Sequence, residues 1–377
     1  MRFFDYNATT PLLPEARDAW VKNNEAHWLN PSSPYRAGAA VHARLEEARE
    51  RLAALFDVAP RRIVFNSGAT EGNNAVFATW VRSLGASERI GVGATEHPSV
   101  LEAAKRYFAG RIDWLAAGPG GVIGADALQT EGVSAISIMA ANNETGILNP
   151  WQEWQAACSR RGIPMHCDAS QWIGKMPLDG LAACDYVTAC AHKFGGPKGV
   201  GFLLVPDDFA SGLAGGAQEG GRRAGTEDLA GILAMLAALE VVESKRASCA
   251  PEDKADFLKA LRKSIPGVEL IGEDQPALWN TAAIVMPEFK STRWIRALEK
   301  RGFLVSAGSA CSTGKGGPSH VMAAMGIDAE KASRTLRISS GWETTAADWQ
   351  ALHDALVDSD RKLREDAADS DTQVISI

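Results

Sequence analysis

The sequence predicts an α/β protein with a mostly parallel sheet in a large domain, followed by a smaller α+β domain. Short apolar or β-branched runs alternate with helical patterns through the first half of the chain, as in α/β folds. The length of 377 residues accommodates two domains of roughly 150 residues each. A polar stretch at residues 244–256 then interrupts the pattern and marks the change between them.

The strands of the large domain are predicted as short apolar runs, with helices between them. A helix is indicated at His42–Phe56, where Leu45 and Leu52 recur at helical spacing, and others at Gln152–Arg161 and Leu229–Glu243. The predicted strands are Arg62–Phe65, Arg89–Val92, Ala135–Ala140, Pro164–Cys167, Asp185–Ala189 and Val200–Val205. Sheets of this kind bind ligands beyond the carboxyl ends of their strands, so the residues that follow each strand are the functional candidates.

The smaller domain is predicted from shorter elements after the polar stretch. Thr345 and Asp348 have the spacing of a helix cap and precede the last helix. The other predicted elements are a helix at Phe257–Ser264, a strand at Thr281–Met286, a helix at Thr292–Arg301 and a strand at Phe303–Ser306.

Composition excludes several classes of function. A formal net charge of −7 argues against a nucleic-acid binder, which usually carries a basic excess. No apolar run approaches ~20 residues and the N-terminus has no signal-peptide pattern, so we expect neither a membrane span nor secretion. The six cysteines are scattered, as in a reduced cytoplasmic protein. CxxC and HExxH patterns are absent from the sequence, and we expect no metal site.

The segment Phe65–Asn74 runs from a predicted strand into a predicted helix. Gly68 permits a tight turn, and the N–H groups at a helix start favour an anion. Thr70 could add a hydroxyl to a bound phosphate. The alternative is an ordinary helix start that is capped by Ser67.

Three further strand ends carry polar residues, each with a structural alternative. Asp168 could pair with a protonated ring nitrogen and Gln171 could donate to a nearby oxygen, or Asp168 could cap a helix. The run Asn142–Gly146 could contact a ligand or form a turn. His97 could stack on a planar cofactor or be structural.

The remaining candidates are a lysine, a cysteine and an arginine. Lys193 follows a buried strand, where desolvation makes an amine nucleophilic toward aldehydes. Cys311 lies in a Gly/Ser-rich stretch that is typical of an accessible nucleophile, although buried inert cysteines are the common case. Arg337 could clamp a carboxylate or lie at the surface.

Taken together, the motifs resemble a known family. They occur in one order along residues 3–345: Asp5–Pro11, Ser67–Asn74, Glu96-His97, Asn142–Gly146, Asp168–Gln171, His192-Lys193 and Gly308–Cys311. This set resembles the cysteine desulfurases, of the class V branch of the fold-type I pyridoxal-phosphate enzymes. The resemblance implies a seven-stranded type of sheet and a homodimer. It also implies a large cofactor domain at residues 12–250, and a small domain formed by residues 1–11 and 251–377.

The resemblance also implies a role for each matching residue. Lys193 would form the Schiff base with pyridoxal 5'-phosphate, with Asp168 on the ring nitrogen, Gln171 on the ring oxygen and His97 against the ring face. The substrate L-cysteine would be bound by Asn7, Ala8, Thr9, Asn143 and Arg337. The phosphate would be held by Ala69, Thr70, Cys190 and His192, together with Thr226 from the partner subunit.

In the implied reaction, L-cysteine becomes L-alanine and its sulfur moves to Cys311 as a persulfide. The sulfur then passes to an acceptor protein or a small thiol, for example in iron–sulfur cluster assembly. Lys193, His97 and Cys311 are the implied catalytic residues. Another class V reaction remains the alternative: selenocysteine lysis, β-elimination or transamination, the last of which needs no thiol.

Several positions depart from the family pattern. Cys190 stands where a phosphate-binding serine is common, and a thiol is the weaker donor. Trp342 stands where an arginine often occurs, Ala141 precedes the Asn142 motif, and residues 218–222 replace a more usual His-Glu-Arg-Gly. The sequence also shows no long tail after its last helix, such as some relatives use to bind an iron–sulfur scaffold protein, so the resemblance leaves the identity of the sulfur acceptor open.

Overall fold

The computed structural model describes residues 1–125, 132–246, 249–307 and 319–374, with side chains as far as residue 369. Its main sheet has the strand order β2-β8-β7-β6-β5-β3-β4. Strand β8 runs antiparallel to both of its neighbours, and the other pairings are parallel. The strands are β2 (Ile63–Asn66), β3 (Arg89–Gly93), β4 (Ile112–Leu115), β5 (Val133–Ser137), β6 (Met165–Asp168), β7 (Tyr186–Cys190) and β8 (Gly201–Leu204).

The predicted α/β class and mostly parallel sheet are confirmed. All six predicted strands form, with ends displaced by a few residues; the run predicted at Ala135–Ala140 begins at Val133 and ends at Ser137. Strand β4 was missed. It lies at the sheet edge, where only its last residue is buried and Trp114 is exposed, so it lacks the apolar run of a central strand.

Helices cover both faces of this sheet. Side chains of α2, α5 and α6 share one apolar core with the strands, and those of α3 and α4 build a second core on the opposite face. Helix α2 is longer than predicted, since it begins at Arg36 rather than His42. The helices are α1 (Pro14–Ala26), α2 (Arg36–Leu55), α3 (Ala69–Ser83), α4 (Pro98–Tyr107), α5 (Trp151–Arg161) and α6 (Leu229–Arg246).

The C-terminal part contains two small sheets. One has the antiparallel order β12-β10-β9, and the other pairs β1 with β11 in parallel. The strands are β1 (Arg2–Phe3), β9 (Glu269–Leu270), β10 (Thr281–Val285), β11 (Phe303–Leu304) and β12 (Thr335–Ser339). The helices are α7 (Pro251–Ser264), α8 (Ser291–Glu299), α9 (His320–Ala324), α10 (Ala329–Arg334) and α11 (Ala346–Val374).

Local hydrogen bonds explain where the last helix begins, and one predicted strand is shorter than expected. The cap predicted at Thr345 is confirmed: Thr345 N–H donates to the Asp348 carboxylate at 3.1 Å, and Asp348 N–H donates to Thr345 Oγ1 at 3.2 Å. The strand predicted at Phe303–Ser306 ends at Leu304, although Ser306 still forms an isolated bridge with Arg337.

The N-terminal residues pack into the C-terminal core. The Phe4 ring lies 5.1 Å from that of Trp349, within a cluster drawn from α7, α8, α11 and the small sheets. Helix α1, by contrast, packs against α6, which covers one face of the large sheet. The chain therefore crosses between the two cores soon after residue 4. The bounds predicted at residues 12 and 250 stay a prediction.

Candidate active site

Five strands of the large sheet, β2, β3, β5, β6 and β7, end at the same edge, and the residues that follow them surround a cavity of about 590 Å³. Among the described residues, its walls include every candidate ligand-binding or catalytic residue from the sequence except Thr226. These lining residues are Asn7, Ala8, Thr9, Ala69, Thr70, His97, Asn143, Asp168, Gln171, Cys190, His192, Lys193 and Arg337.

Lys193 occupies a short 3-10 turn directly after β7. Its Nζ donates to the carbonyl oxygens of Asn7 at 2.5 Å and Ala8 at 2.8 Å. The turn is tied to the same N-terminal segment, because Thr10 N–H donates to His192 O at 2.9 Å and Gly195 N–H donates to Thr10 Oγ1 at 2.8 Å. Contacts nearly two hundred residues apart in sequence therefore place the amine.

One end of the cavity suits an anion. Gly68 precedes α3 with φ of 132°, a value that side chains rarely adopt, and it directs the first N–H groups of the helix toward the cavity. Burial, and then the charges of Lys193 and Lys198, lower the pKa of His192 to about 4. Burial raises the pKa of Cys190, against the opposing effect of Lys193, so its thiol is neutral.

The alternative in which Ser67 caps α3 is wrong. The residue at the cap position is Gly68, and Ser67 instead donates from N–H and Oγ to Glu71 at 2.9 and 2.5 Å. Glu71 in turn pairs with Arg223 at 2.8 Å. The helix start therefore has no side-chain cap, and its first residues, Ala69 and Thr70, line the cavity.

The opposite end of the cavity presents the carboxylate of Asp168, which accepts from Asn73 Nδ2 at 2.9 Å and Ser170 N–H at 3.0 Å. The alternative of a helix cap is wrong, because residues 169–176 form turns rather than a helix. Burial, and then the charge of Asp168, raise the pKa of Glu96 well above its usual range. This shift favours the neutral form of the Glu96 carboxyl, whose negative charge would otherwise repel that of Asp168.

His97 is neutral, and its contacts define its tautomer. Its Nδ1 accepts from Ser99 N–H at 3.1 Å, so the proton lies on Nε2. Burial lowers the pKa of His97; the charge of Asp168 opposes this effect, and Lys193 and His320 add to it. A neutral imidazole with an Nε2 proton is suited to lie against a planar ring.

The side of the cavity near the N-terminus carries Arg337 and Asn7. Arg337 is 2% exposed and donates to Asp5 Oδ1 at 2.6 Å and to Asn143 O at 3.0 Å. Asn7 is also buried, and its Nδ2 donates to Asn143 O at 3.2 Å and Thr281 Oγ1 at 3.0 Å. The guanidinium is therefore held at the cavity wall, in a position to pair with a carboxylate.

Thr226 does not line this cavity within one chain. It borders a neighbouring cleft of about 80 Å³ together with Ser67 and Gly199. The segment before it is held by Glu219, whose buried carboxylate accepts from Arg49 at 2.7 and 2.8 Å. The departure from the family pattern at residues 218–222 thus keeps a buried ion pair that anchors this segment.

Cys311 lies outside the described residues. The chain on both sides of it contacts the cavity wall: Ser306 and Arg337 exchange backbone hydrogen bonds at 3.1 and 2.7 Å. After it, Ser319 Oγ donates to Glu144 at 2.6 Å and His320 Nε2 donates to Glu96 O at 2.8 Å. The described residues on either side of Cys311 therefore lie beside Arg337 and beside Glu96, the neighbour of His97.

Comparison with known proteins agrees with this geometry. Residues 2–352 match the family model described as aminotransferase class-V. A "Cysteine desulfurase" of Enterobacter agglomerans is 36% identical over 89% of this chain and 87% of its own length. The chain belongs to the cysteine desulfurase family.

Solved structures support the same placement. A "NIFS-LIKE PROTEIN" superposes with a TM-score of 0.86 at 28% identity, over 95% of this chain and 99% of that one. A structure described as "SspA in complex with cysteine" gives a TM-score of 0.79 at 27% identity, over 90% of this chain and 98% of that one. The prediction of a fold-type I architecture is confirmed.

Enzymes of class V depend on pyridoxal phosphate, and the cavity fits that cofactor. An anion site at the start of α3 and a carboxylate at Asp168 lie in one cavity, with the amine of Lys193 among its walls. A phosphate, a protonated ring nitrogen and an aldehyde carbon would find matching partners there.

Sequence reasoning missed three residues that shape the site. Asn73 lies one helical turn after Ala69, so helical spacing could have indicated its contact with Asp168. Asp5 was part of a motif without a role, and it is the partner of Arg337. Lys175 offered no signal, because lysines are rarely buried.

Within residues 1–125, 132–246, 249–307 and 319–374, no group of three or more His, Cys, Asp or Glu side chains could hold a metal ion. Among the helices of those same segments, none is long and apolar enough to cross a membrane.

Proposed function

We propose that this cysteine desulfurase converts L-cysteine to L-alanine with pyridoxal 5'-phosphate bound through Lys193, and passes the sulfur to Cys311. One observation carries the proposal. A single cavity brings together an amine, a carboxylate for a ring nitrogen, a helix start for a phosphate and a buried arginine for a substrate carboxylate.

When bound, the cofactor supplies an electron sink that weakens the bonds to the substrate's α and β carbons. The protein's part is to hold and orient it. Ala69, Thr70, Cys190 and His192 would contact the phosphate, while Asp168 would keep the ring nitrogen protonated. Gln171 would donate to the ring oxygen, and His97 would pack against the ring face.

The substrate would enter with its carboxylate toward Arg337. Because Asp5 and Asn143 already hold that guanidinium, the arginine side chain loses little conformational freedom when the substrate binds. The carbonyls of Asn7 and Ala8 hold the Lys193 amine at the same wall. Once released from the cofactor, this amine is the group placed to take the α proton.

Cys311 would then receive the sulfur. Its thiolate would attack the substrate sulfur, so that an S–S bond forms as the Cβ–S bond breaks. The bonding electron pair stays with the carbon skeleton, where the cofactor's electron sink would stabilise it, and a proton replaces sulfur on Cβ to give alanine. Cys311 follows Ser306, which pairs with Arg337, by five positions, so an extended chain would span at most roughly 18 Å between them. That length is enough to reach the cavity that Arg337 lines.

We further propose that the protein acts as a homodimer, with Thr226 contacting the phosphate of the partner subunit. Large apolar side chains between residues 20 and 35 support a covered surface, since Trp28 is 76% and Tyr35 50% exposed. A sulfur-accepting protein or small thiol completes the cycle. A cytoplasmic location stays a prediction from the sequence.

The test is a pair of measurements on purified protein. Cofactor uptake should give a yellow protein, and borohydride reduction should fix the label on Lys193. Incubation with L-cysteine and a reductant should then yield alanine and sulfide in equal amounts. A protein that takes up no cofactor overturns the proposal.

The Cys311→Ser variant tests the sulfur step separately. It should lose sulfide release that depends on the reductant while keeping cofactor binding. Undiminished sulfide release would move the acceptor thiol elsewhere, and preference for selenocysteine in the same assay would make the enzyme a selenocysteine lyase.

A further inference from the structure

A second lysine, Lys175, is buried next to the cavity, where it contacts two of the lining residues, Asn7 and Gln171. It is 2% exposed and does not line the cavity. It lies in the turns that follow β6, four residues after Gln171. Burying a lysine costs several kcal/mol unless its contacts compensate, so such a residue requires an explanation.

The contacts of Lys175 are with two residues of the active site. Its Nζ donates to Asn7 Oδ1 at 2.8 Å and to Gln171 Oε1. Both acceptors are neutral amide oxygens. Burial, together with the nearby charges of Lys193 and Arg337, lowers the pKa of Lys175 well below its usual range. Even an uncharged amine has the two N–H groups that these contacts need.

These bonds determine which way the Gln171 amide points. With Oε1 bound to Lys175, the NH₂ group is turned the other way and donates to Asn7 O at 2.9 Å. That carbonyl also accepts from Lys193. Without Lys175, the amide could rotate and present an oxygen to the cavity, where a ring oxygen needs a donor.

The backbone around Lys175 is fixed by two indoles from the C-terminal part of the chain. Trp279 Nε1 donates to Lys175 O at 3.1 Å, and Trp342 Nε1 donates to Gly174 O at 2.9 Å. Gly174 has φ of 78°, and a Cβ there would lie 2.5 Å from Phe194 Cβ. The two indoles therefore hold the backbone at Gly174 and Lys175, and Gly174 cannot be replaced by a residue with a Cβ unless Phe194 moves.

We propose that Lys175 is a positioning residue that keeps the NH₂ group of Gln171 turned toward the cofactor ring. This inference rests on the proposed function for its cofactor. It also gives Trp342 a role, because that indole holds the turn from which Lys175 extends.

A double-mutant cycle in the purified dimer tests the inference. Lys175→Met and Gln171→Met should each weaken binding of pyridoxal phosphate to the apo-protein by about tenfold. The double variant should be no weaker than the worse single variant by more than about twofold, because both act through one contact. Additive losses overturn the proposal.

Absorbance gives a second readout that needs no substrate. The pH titration of the Lys193-bound cofactor should shift in Lys175→Met and Gln171→Met by similar amounts and in the same direction. Lys175→Gln keeps an N–H donor and should lose less than about threefold in cofactor affinity. An unshifted titration in Lys175→Met, or equal losses in Lys175→Met and Lys175→Gln, overturns the role.

Lys254 provides a matched control. Its Nζ also donates to two oxygens, Leu278 O at 2.6 Å and Thr281 O at 3.1 Å, and burial lowers its pKa to about 8, but it lies away from the cavity. Lys254→Met should reduce stability and leave the titration unchanged. If the wild-type protein itself takes up no cofactor, the proposed function fails; if it does and releases alanine, a negative cycle removes only the role of Lys175.

Discussion

The two ends of the cavity are built in different ways. At the anion end, the start of α3 presents main-chain groups next to Gly68, and the turn after β7 is bonded to one distant segment through Thr9 and Thr10. The end near the N-terminus depends on such contacts throughout, since Asn7 joins Lys193, Gln171, Lys175 and Thr281. The first should tolerate changes elsewhere in the chain, whereas the second should be sensitive to them.

Lys193 belongs to both ends, so its loss should have the largest effect. Lys193→Ala should reduce alanine formation by at least about a thousandfold, because it removes both the covalent attachment and the base. Rates of alanine release measure this, and the melting temperature should change little. A variant that retains a tenth of the activity would place the base elsewhere.

At the end with long-range contacts, Arg337→Ala should raise KM for cysteine by roughly 10- to 150-fold, as expected for a charged hydrogen bond worth ~1.5–3 kcal/mol. Removing the cation also leaves the carboxylate of Asp5 without its partner. Steady-state kinetics with Arg337→Lys as the matched control distinguish lost charge from lost geometry. An unchanged KM would separate this end from substrate binding.

Acidification should destabilise the protein through two histidines, of which His192 lines the cavity and His166 is buried in the sheet. Burial lowers the pKa of His166, two residues before Asp168 in β6, and that of His192 to about 4 each. Their unfolded pKa is near 6.5, so the unfolded state binds more protons between these values and stability is lost as pH falls. Between pH 7 and pH 5 each should cost up to about 2 kcal/mol.

Urea unfolding of the apo-protein at several pH values measures this loss. Inorganic phosphate should reduce the acid-induced loss of stability that is due to His192, which is the loss that the His192→Asn variant lacks. The reason is that only His192 lies at the anion end. The part that His166→Asn removes should not respond to phosphate. Equal effects of phosphate on both variants would contradict the division of the cavity.

The smallest effect is expected from Cys190→Ser at the anion end. A hydroxyl donates a stronger hydrogen bond than the neutral thiol, so cofactor affinity should rise by a few-fold, about 0.5–1 kcal/mol. Equilibrium titration of the apo-protein with pyridoxal phosphate measures this change. Weaker binding would mean that Cys190 is packed for volume rather than for contact with the phosphate.

The sequence by itself determined where six strands of the main sheet lie, to within a few residues, because short apolar runs between helical patterns are a local property. It also determined the anion end, since Gly68 and the start of α3 lie next to each other in the chain. Edge strand β4 escaped prediction because it lacks the apolar run of a buried strand. The same locality explains why Ser67 was misassigned: which residue caps a helix depends on competing partners such as Glu71.

Only the tertiary structure decided the rest. The pairing of Asp5 with Arg337 spans most of the chain, and the contacts of Lys175 depend on indoles from the C-terminal part. Sequence spacing carries no information about such contacts, because they arise when two separately packed cores meet. The motifs identify which residues take part, and the meeting of the cores decides how each one is oriented.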